Sequence, residues 1–462
     1  MKNLLVCLFF MFFVFRVEAQ IDTCNIDYIF SHGRLNYFQL IEKVERNNRE
    51  AYLNSSEKDQ KRYNRWRSYF DYRVDVDGSF TTYVEQWNNY YLNSSNSTTG
   101  SLCLNWECIG PFGLTNSDMK NYNGRCQSVA VNPDNNNIVY LGTMSGGLFK
   151  TTNALAVNPS DVHWECITEE YSSIGVFDIE LDPNDSDVIY IIVSFYTSNI
   201  GNLRQYSVGV FKSEDGGNSF DLILDLEPAD EIMLTDLEIA SNGYIYVVGD
   251  MYANDRLYKS TNGGVSWSYS EIHQLNDDNI RLWELAISTN NPNYVIVSGM
   301  YGVFYSDNGG SSFSSIISNL NLATSSTKRY NTKFNSYDNN FYILYDGGNG
   351  GVLEKSTNGL NWTTVNNNIS GITIANYVSE LAITPQGNIF AGGVYMKYSG
   401  DGGQSFLLSK LNPPEQIHAD VRDVAFSNSS NGQPVFIATD GGICRNTSNP
   451  YDNGLWQSIN GD

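Results

Sequence analysis

Two short stretches bring reactive side chains close together. HADVRD, residues 418–423, holds His418, Asp420, Arg422 and Asp423, residue types from which a metal site or a general acid–base pair is built. The same residues also make a salt-bridged lead-in to the apolar strand VRDVAF, with Arg422 as the counter-ion, and that reading is preferred. TDGG, residues 439–442, sets Asp440 before two glycines. One carboxylate there can hold a sugar hydroxyl or a cation, but glycosidic hydrolysis generally needs two at a set separation. The favoured role for Asp440 is to stabilise its own turn. No calcium loop, zinc spacing or nucleophile elbow appears, so neither a metal nor a cofactor is expected.

A third pattern recurs. KSEDGGNSF, KSTNGGVSW, YSDNGGSSF, KSTNGLNW and YSGDGGQSF open at Ser213, Ser260, Ser306, Ser356 and Ser399, with Asp215, Asn262, Asn308, Asn358 and Asp401 two residues on and Trp267 and Trp362 among the closing aromatics. Hydroxyl and Asx side chains cap main-chain N–H groups just ahead of them, and glycine supplies positive φ. Acid and amide interchange freely at the Asx position, which a catalytic carboxylate or metal ligand would not tolerate. The turn is therefore expected to be scaffold.

The elements that carry these turns follow from their spacing. Short runs of Val, Ile, Tyr and Phe, broken by Gly, Asn, Asp and Ser, read as strands. Successive opening serines lie 47, 46, 50 and 43 residues apart, and degenerate copies at 150–153 and 445–449 extend the series to seven. A period near 45 with four strands per unit predicts an all-β, seven-bladed β-propeller over 105–462, because a single four-stranded sheet cannot bury both faces until neighbours stack around an axis. In the first copy the insertion ALAVNPSDVH displaces the aromatic partner to Trp164. Residues 20–92 read as a small helical segment and 93–104 as a linker. From Arg34 to Arg73 there are ten Lys or Arg against six Asp or Glu, either a solvated helix face or a dock for the acidic remainder.

Residues 1–19 have the basic start, apolar run and small-x-small end of a cleaved signal peptide, so a secreted or cell-surface protein is expected. The chain has 28 Lys or Arg and 51 Asp or Glu, net −23. That surface disfavours nucleic acid and anionic lipid and suits neutral polysaccharide or protein partners. No later segment is long and apolar enough for a transmembrane helix. Six cysteines remain after the signal, Cys24, Cys103, Cys108, Cys126, Cys166 and Cys444, which in an exported chain predicts up to three disulfides of unspecified pairing.

The repeated turns resemble the Asp-box, or BNR repeat, of sialidases, sortilin-type receptors and the xyloglucan hydrolases of glycoside hydrolase family 74. GRCQSVAVNPDNNNIVYLGTMSGGLFKTTN (124–153), HADVRDVAF (418–426) and IATDGGICRN (437–446), together with YNRWRSYFDYRVDVDGSF (63–80), resemble exported Bacteroidetes proteins similar to the family 74 and sortilin N-terminal propellers. That resemblance implies a second propeller and a sorting domain, so the sequence is expected to be truncated. It also exposes a departure: GTMSGG stands where family 74 enzymes carry RTDIGG, placing Met144 at the position of a catalytic carboxylate. The Phe-Arg-Ile-Pro tetrapeptide of sialidases is missing, as are the cysteine-rich module and membrane span of sortilins.

If the propeller binds a ligand, the loops entering first strands and the turns joining second to third strands should carry it, on the face opposite the repeated turns. The candidates there are Glu169, Glu170, Tyr171, Tyr196, Asp250, Tyr252, Tyr301, Asp346, His418, Asp420, Arg422 and Asp440. The expectation is a non-catalytic binding module for polysaccharide or protein. A xyloglucanase-type hydrolase and a structural or adhesive surface protein are the alternatives.

Overall fold

The computed structural model describes residues 124–169, 174–197, 204–226, 232–250, 255–272, 281–321, 329–348, 350–370, 372, 380–408, 420–427, 434–447 and 456–460, the pairs 114–115 and 121–122, and seven positions between 38 and 67. Those seven carry helical backbone; the rest of the expected helical segment, its linker, and Cys24, Cys103 and Cys108 lie outside the described residues. From 126 onward, seven four-stranded antiparallel sheets follow in chain order, each made of four consecutive strands. The first strands are Cys126–Val131, Gly175–Asp182, Met233–Ile239, Leu282–Ile287, Tyr330–Asn335, Glu380–Ile383 and Val421–Phe426. Each lies beside the first strands of both neighbouring blades, and that of blade 7 lies beside that of blade 1. The ring is a closed seven-bladed propeller with the first strands at its axis.

Apolar side chains from the facing surfaces of adjacent sheets fill the seams. Between blades 3 and 4, for example, Tyr246, Val248 and Leu257 meet Leu285, Val295, Val297 and Phe304. Every fourth strand begins one residue after its aromatic, from Glu165 after Trp164 to Gln457 after Trp456.

The repeated turns, on what we term the lower face, share one hydrogen-bond network. In blade 3 the Ser260 hydroxyl donates to Asn262 Oδ1 (3.0 Å) and accepts from the N–H of Gly264 (2.9 Å), while Asn262 Oδ1 accepts from the N–H of Ser266 (2.9 Å). Blades 2, 4 and 6 repeat it through Ser213 and Asp215, Ser306 and Asn308, and Ser399 and Asp401. The second glycine is required twice over. Gly264 has φ 92°, and a Cβ there would lie 2.6 Å from Ile223 Cδ1 of the preceding blade, so the turn also docks sheet against sheet. Trp267 completes the joint by donating its indole N–H to Ile223 O at 2.7 Å. Ser260→Ala should therefore cost about 1–3 kcal/mol in denaturant unfolding, because it leaves the buried Gly264 N–H without an acceptor; an unchanged midpoint would refute the scaffold role.

The expected disulfides do not form among the described cysteines: Cys126, Cys166 and Cys444 are free thiols. Strand alternation gives the reason for Cys126 and Cys444. Cys126 packs with Ala438 and Ile443 in the blade 7–blade 1 seam, whereas Cys444, one residue after Ile443, points to the other face of its sheet and packs with Ala382, Phe390 and Tyr398 of blade 6. A sheet stands between the two sulfurs.

Candidate functional site: the axial channel and its upper mouth

The first strands of blades 1, 2, 3, 4 and 7 each contain a β-bulge near their upper end, at Gln127, Phe177, Thr235, Trp283 and Arg422. A bulge inserts one residue and re-aims the side chains that follow. The next residue is Ser128, Asp178, Asp236, Glu284 or Asp423. Four of these five are acids, and each acid accepts a hydrogen bond from a main-chain N–H of the next blade's first strand. Asp178 takes Leu237 N–H (2.7 Å), Asp236 takes Leu285 N–H (2.6 Å), Glu284 takes Thr332 N–H (2.8 Å), and Asp423 takes Val129 N–H (2.7 Å) across the ring closure. The carboxylates thus tie blade to blade around the axis.

The electrostatic consequence is concentrated on one lysine. Lys333 of blade 5 lies within the fields of Asp178 and Glu180 of blade 2, Asp236 and Glu238 of blade 3, Glu284 of blade 4, Glu380 of blade 6 and Asp423 of blade 7, so side chains from six blades converge. Burial, joined by the Asp423 charge, pushes Asp178 up to about 6, and burial pushes Glu238 up to about 7 although Lys333 opposes it. Burial also raises Glu284 and Asp423, and holds Glu180, Asp236 and Glu380 well above the usual carboxylate range. Burial alone would lower Lys333, yet the carboxylates, Asp236 foremost, outweigh it and hold the ammonium well above its ordinary value. Among the described residues no group of three potential ligands is placed to hold a metal ion.

Above the channel the side chains form a paired belt. Arg422 grips Asp440 with two bonds, Nε to Oδ1 at 2.7 Å and Nη2 to Oδ2 at 3.0 Å. Arg125 Nε lies 3.4 Å from the same Oδ1 and also donates to Gln127 Oε1 at 3.1 Å. The Arg329 guanidinium stacks 5.0 Å from the Trp283 ring centre and lies 3.8 Å from Glu284. Arg329 also feels Glu380 and Arg422, which links the two halves of the belt.

The candidates from the sequence fall unevenly around this mouth. Asp440 is held by arginines from two blades, not by its own turn. Arg422 pairs with Asp440 and not with Asp420 or Asp423; Asp423 turns to the axis, and Asp420 (φ 68°) receives the Asp440 N–H on its carbonyl at 3.3 Å. Tyr301, half-buried with φ 63°, sits in the turn between the second and third strands of blade 4. Glu169 is exposed in the turn after the fourth strand of blade 1, and Asp346 is exposed on blade 5, accepting from the N–H of Gly348 at 2.8 Å. Asp250 ends the second strand of blade 3, and Tyr196 lies near the end of the second strand of blade 2; their side chains, and the residues Glu170, Tyr171, Tyr252 and His418, lie outside the described residues. Of the axial acids the sequence reading singled out only Asp423, as part of a salt-bridged lead-in to its strand, and missed the others. Their signal was present as acidic residues inside otherwise apolar first strands, in VFDIELD, LTDLEI, LWELAI, ELAI and VRDVAF.

No protein-family profile and no curated protein sequence matches this chain. Among solved structures it is similar to an ancestral GH74 enzyme, at 16% identity and TM-score 0.55 over 77% of this chain and 47% of that one. It is likewise similar to the GH74 xyloglucanase of Xanthomonas campestris, at 16% identity and TM-score 0.53 over 73% of this chain and 54% of that one. The chain spans about half the length of these structures, and at such identity the likeness is one of fold.

Proposed function

We propose that the chain is an exported, non-catalytic binding propeller that takes its ligand on the upper face. The observation that carries this reading is the state of Asp440. It is a carboxylate in a second-to-third-strand turn at the mouth, and both of its oxygens already accept from the Arg422 fork. Met144, in the corresponding turn of blade 1, offers a thioether, which cannot transfer a proton. A hydrolase needs two carboxyl groups at a set separation, and these two positions supply one, already engaged. An overall charge of −23 favours neutral glycans or protein surfaces over polyanions.

Affinity electrophoresis through gels containing xyloglucan or other neutral plant and algal polysaccharides tests the reading, combined with an assay for new reducing ends. Selective retardation by a polymer that stays intact is the expected result. Release of reducing ends, abolished by Asp440→Asn, would replace binding with hydrolysis. Unchanged mobility in every gel would remove the glycan reading and leave a protein partner.

A further inference from the structure

We infer that the axial mouth is the ligand-reading surface of this propeller, and that it takes a single neutral, polyhydroxylated ring presented end-on, as at the terminus of a glycan chain. The inference rests on the binding reading above and narrows it to named residues.

The belt has the composition such a ring requires. Three guanidiniums, Arg125, Arg329 and Arg422, lie beside the carboxyl groups of Asp440 and Glu284, so opposite charges are paired among the described residues of the mouth within a strongly acidic molecule. A neutral partner is therefore not penalised, whereas a polyanion meets the field of the whole protein. Paired donors and acceptors are already fixed in position, and Arg125 and Asp440 keep side-chain exposures of 29% and 25%, leaving edges for hydroxyl groups. Trp283 contributes a half-buried indole, and its N–H has no acceptor, a donor that a ring oxygen or hydroxyl can satisfy when Arg329 moves from its stacked position. Planar aromatic surface beside bidentate polar pairs suits a sugar ring, which is apolar on its faces and hydrogen-bonding at its rim.

Two features of the backbone concentrate here. Bulges occur in five of the seven first strands, all near this end, and three of them place Gln127, Trp283 and Arg422 in the belt. Arg281, Tyr301 and Asp420, three of the four non-glycine residues with positive φ among the described residues, lie at the same face. Strained conformations persist where the surrounding structure imposes them, and they gather at ligand sites. Charged side chains converge on Lys333 at the axis below the mouth, and the inferred ring therefore approaches end-on from above.

The experiment is affinity electrophoresis of Trp283→Ala, Trp283→Phe and Gln127→Ala in the neutral polysaccharide gel that retards the unaltered protein. Tyr269→Ala, on the outer strand of blade 3, serves as control, polygalacturonate as the anionic comparison, and a thermal melt verifies folding of each variant. Retardation should fall at least tenfold for Trp283→Ala and several-fold for Trp283→Phe and Gln127→Ala, with Tyr269→Ala unchanged. Partial acid cleavage of the polymer, which multiplies chain ends, should increase retardation per unit mass, and polygalacturonate should not retard. If folded Trp283→Phe and Gln127→Ala match the unaltered protein, or if chain ends make no difference, the mouth is not the reader although glycan binding stands. If no neutral polymer retards the unaltered protein, this inference falls together with the reading beneath it.

Discussion

Arg445→Met should lower the melting temperature by roughly 4 °C, the effect of losing about 3 kcal/mol in a domain of this size. Each blade uses four consecutive strands, so the seam between blades 7 and 1 is closed by side chains without a shared strand. Arg445, 2% exposed on the third strand of blade 7, is one of its clasps. One Nη donates to Ala154 O, the other to Ala156 O at 2.6 Å, and Nε to Gln457 Oε1 at 3.0 Å. Both carbonyls belong to the ALAVNPSDVH insertion of blade 1, which Trp164 fastens further by donating to Ile459 O at 2.7 Å. Methionine fills most of the volume and supplies none of the donors, so buried carbonyls lose their partners. Loss of stability should be accompanied by faster proteolysis within 154–163. A melting temperature within a degree of the unaltered protein would mean that the apolar seam alone closes the ring.

The insertion marks where sequence reasoning reached its limit. Period, strand composition and turn chemistry were sufficient for seven blades, because each blade repeats the same solution to the same packing problem and the aromatic always precedes the fourth strand. The insertion read as decay of the first turn, yet it closes the ring, a role that depends on a residue almost 300 positions away. The axial acids were hidden for a related reason. Asp178 and Asp236 sit in strands whose alternation reads as core and surface, and only the preceding bulge re-aims them toward the next blade. Register shifts of one residue leave no mark in a hydrophobic pattern. Asp440 was located correctly at a turn, but its partners come from two other elements, Arg422 and Arg125, which local sequence does not specify. For Cys126 and Cys444, cysteine parity carried no information about which face of a sheet each thiol occupies.

Lys333→Met should destabilise the propeller by about 3–5 kcal/mol at pH 8, the range for removing one partner from a buried charge cluster, and by much less at pH 5. The sign follows from the carboxylates around it. Asp178 is raised to about 6 and Glu238 to about 7, both by burial first, whereas in the unfolded chain such groups titrate near 4. Between pH 4 and pH 7 the folded state therefore holds more protons than the unfolded state, and stability falls as pH rises through that window. Lys333, held above its ordinary value, acts in the opposite sense: its contribution is complete below about pH 10.4 and is lost only as pH rises beyond that. At pH 8 the lysine is the main compensation for ionised neighbours, while at pH 5 most of those neighbours are neutral and its removal matters less. On the acid side, Asp215 and Asp401 are depressed: Asp215 to about 2 by its bonds from Ser219 and Ser213, and Asp401 because, although burial is the largest single influence and raises it, the bonds from Ser405 and Ser399 together outweigh burial. Their contributions are present above the usual aspartate range and disappear as pH falls below it. The unaltered protein should accordingly melt highest near pH 5 and lose several degrees by pH 8, with Lys333→Met showing a steeper decline over the same interval. Parallel melting curves for the two proteins from pH 5 to pH 8 would mean that water in the channel, and not Lys333, screens the axial carboxylates.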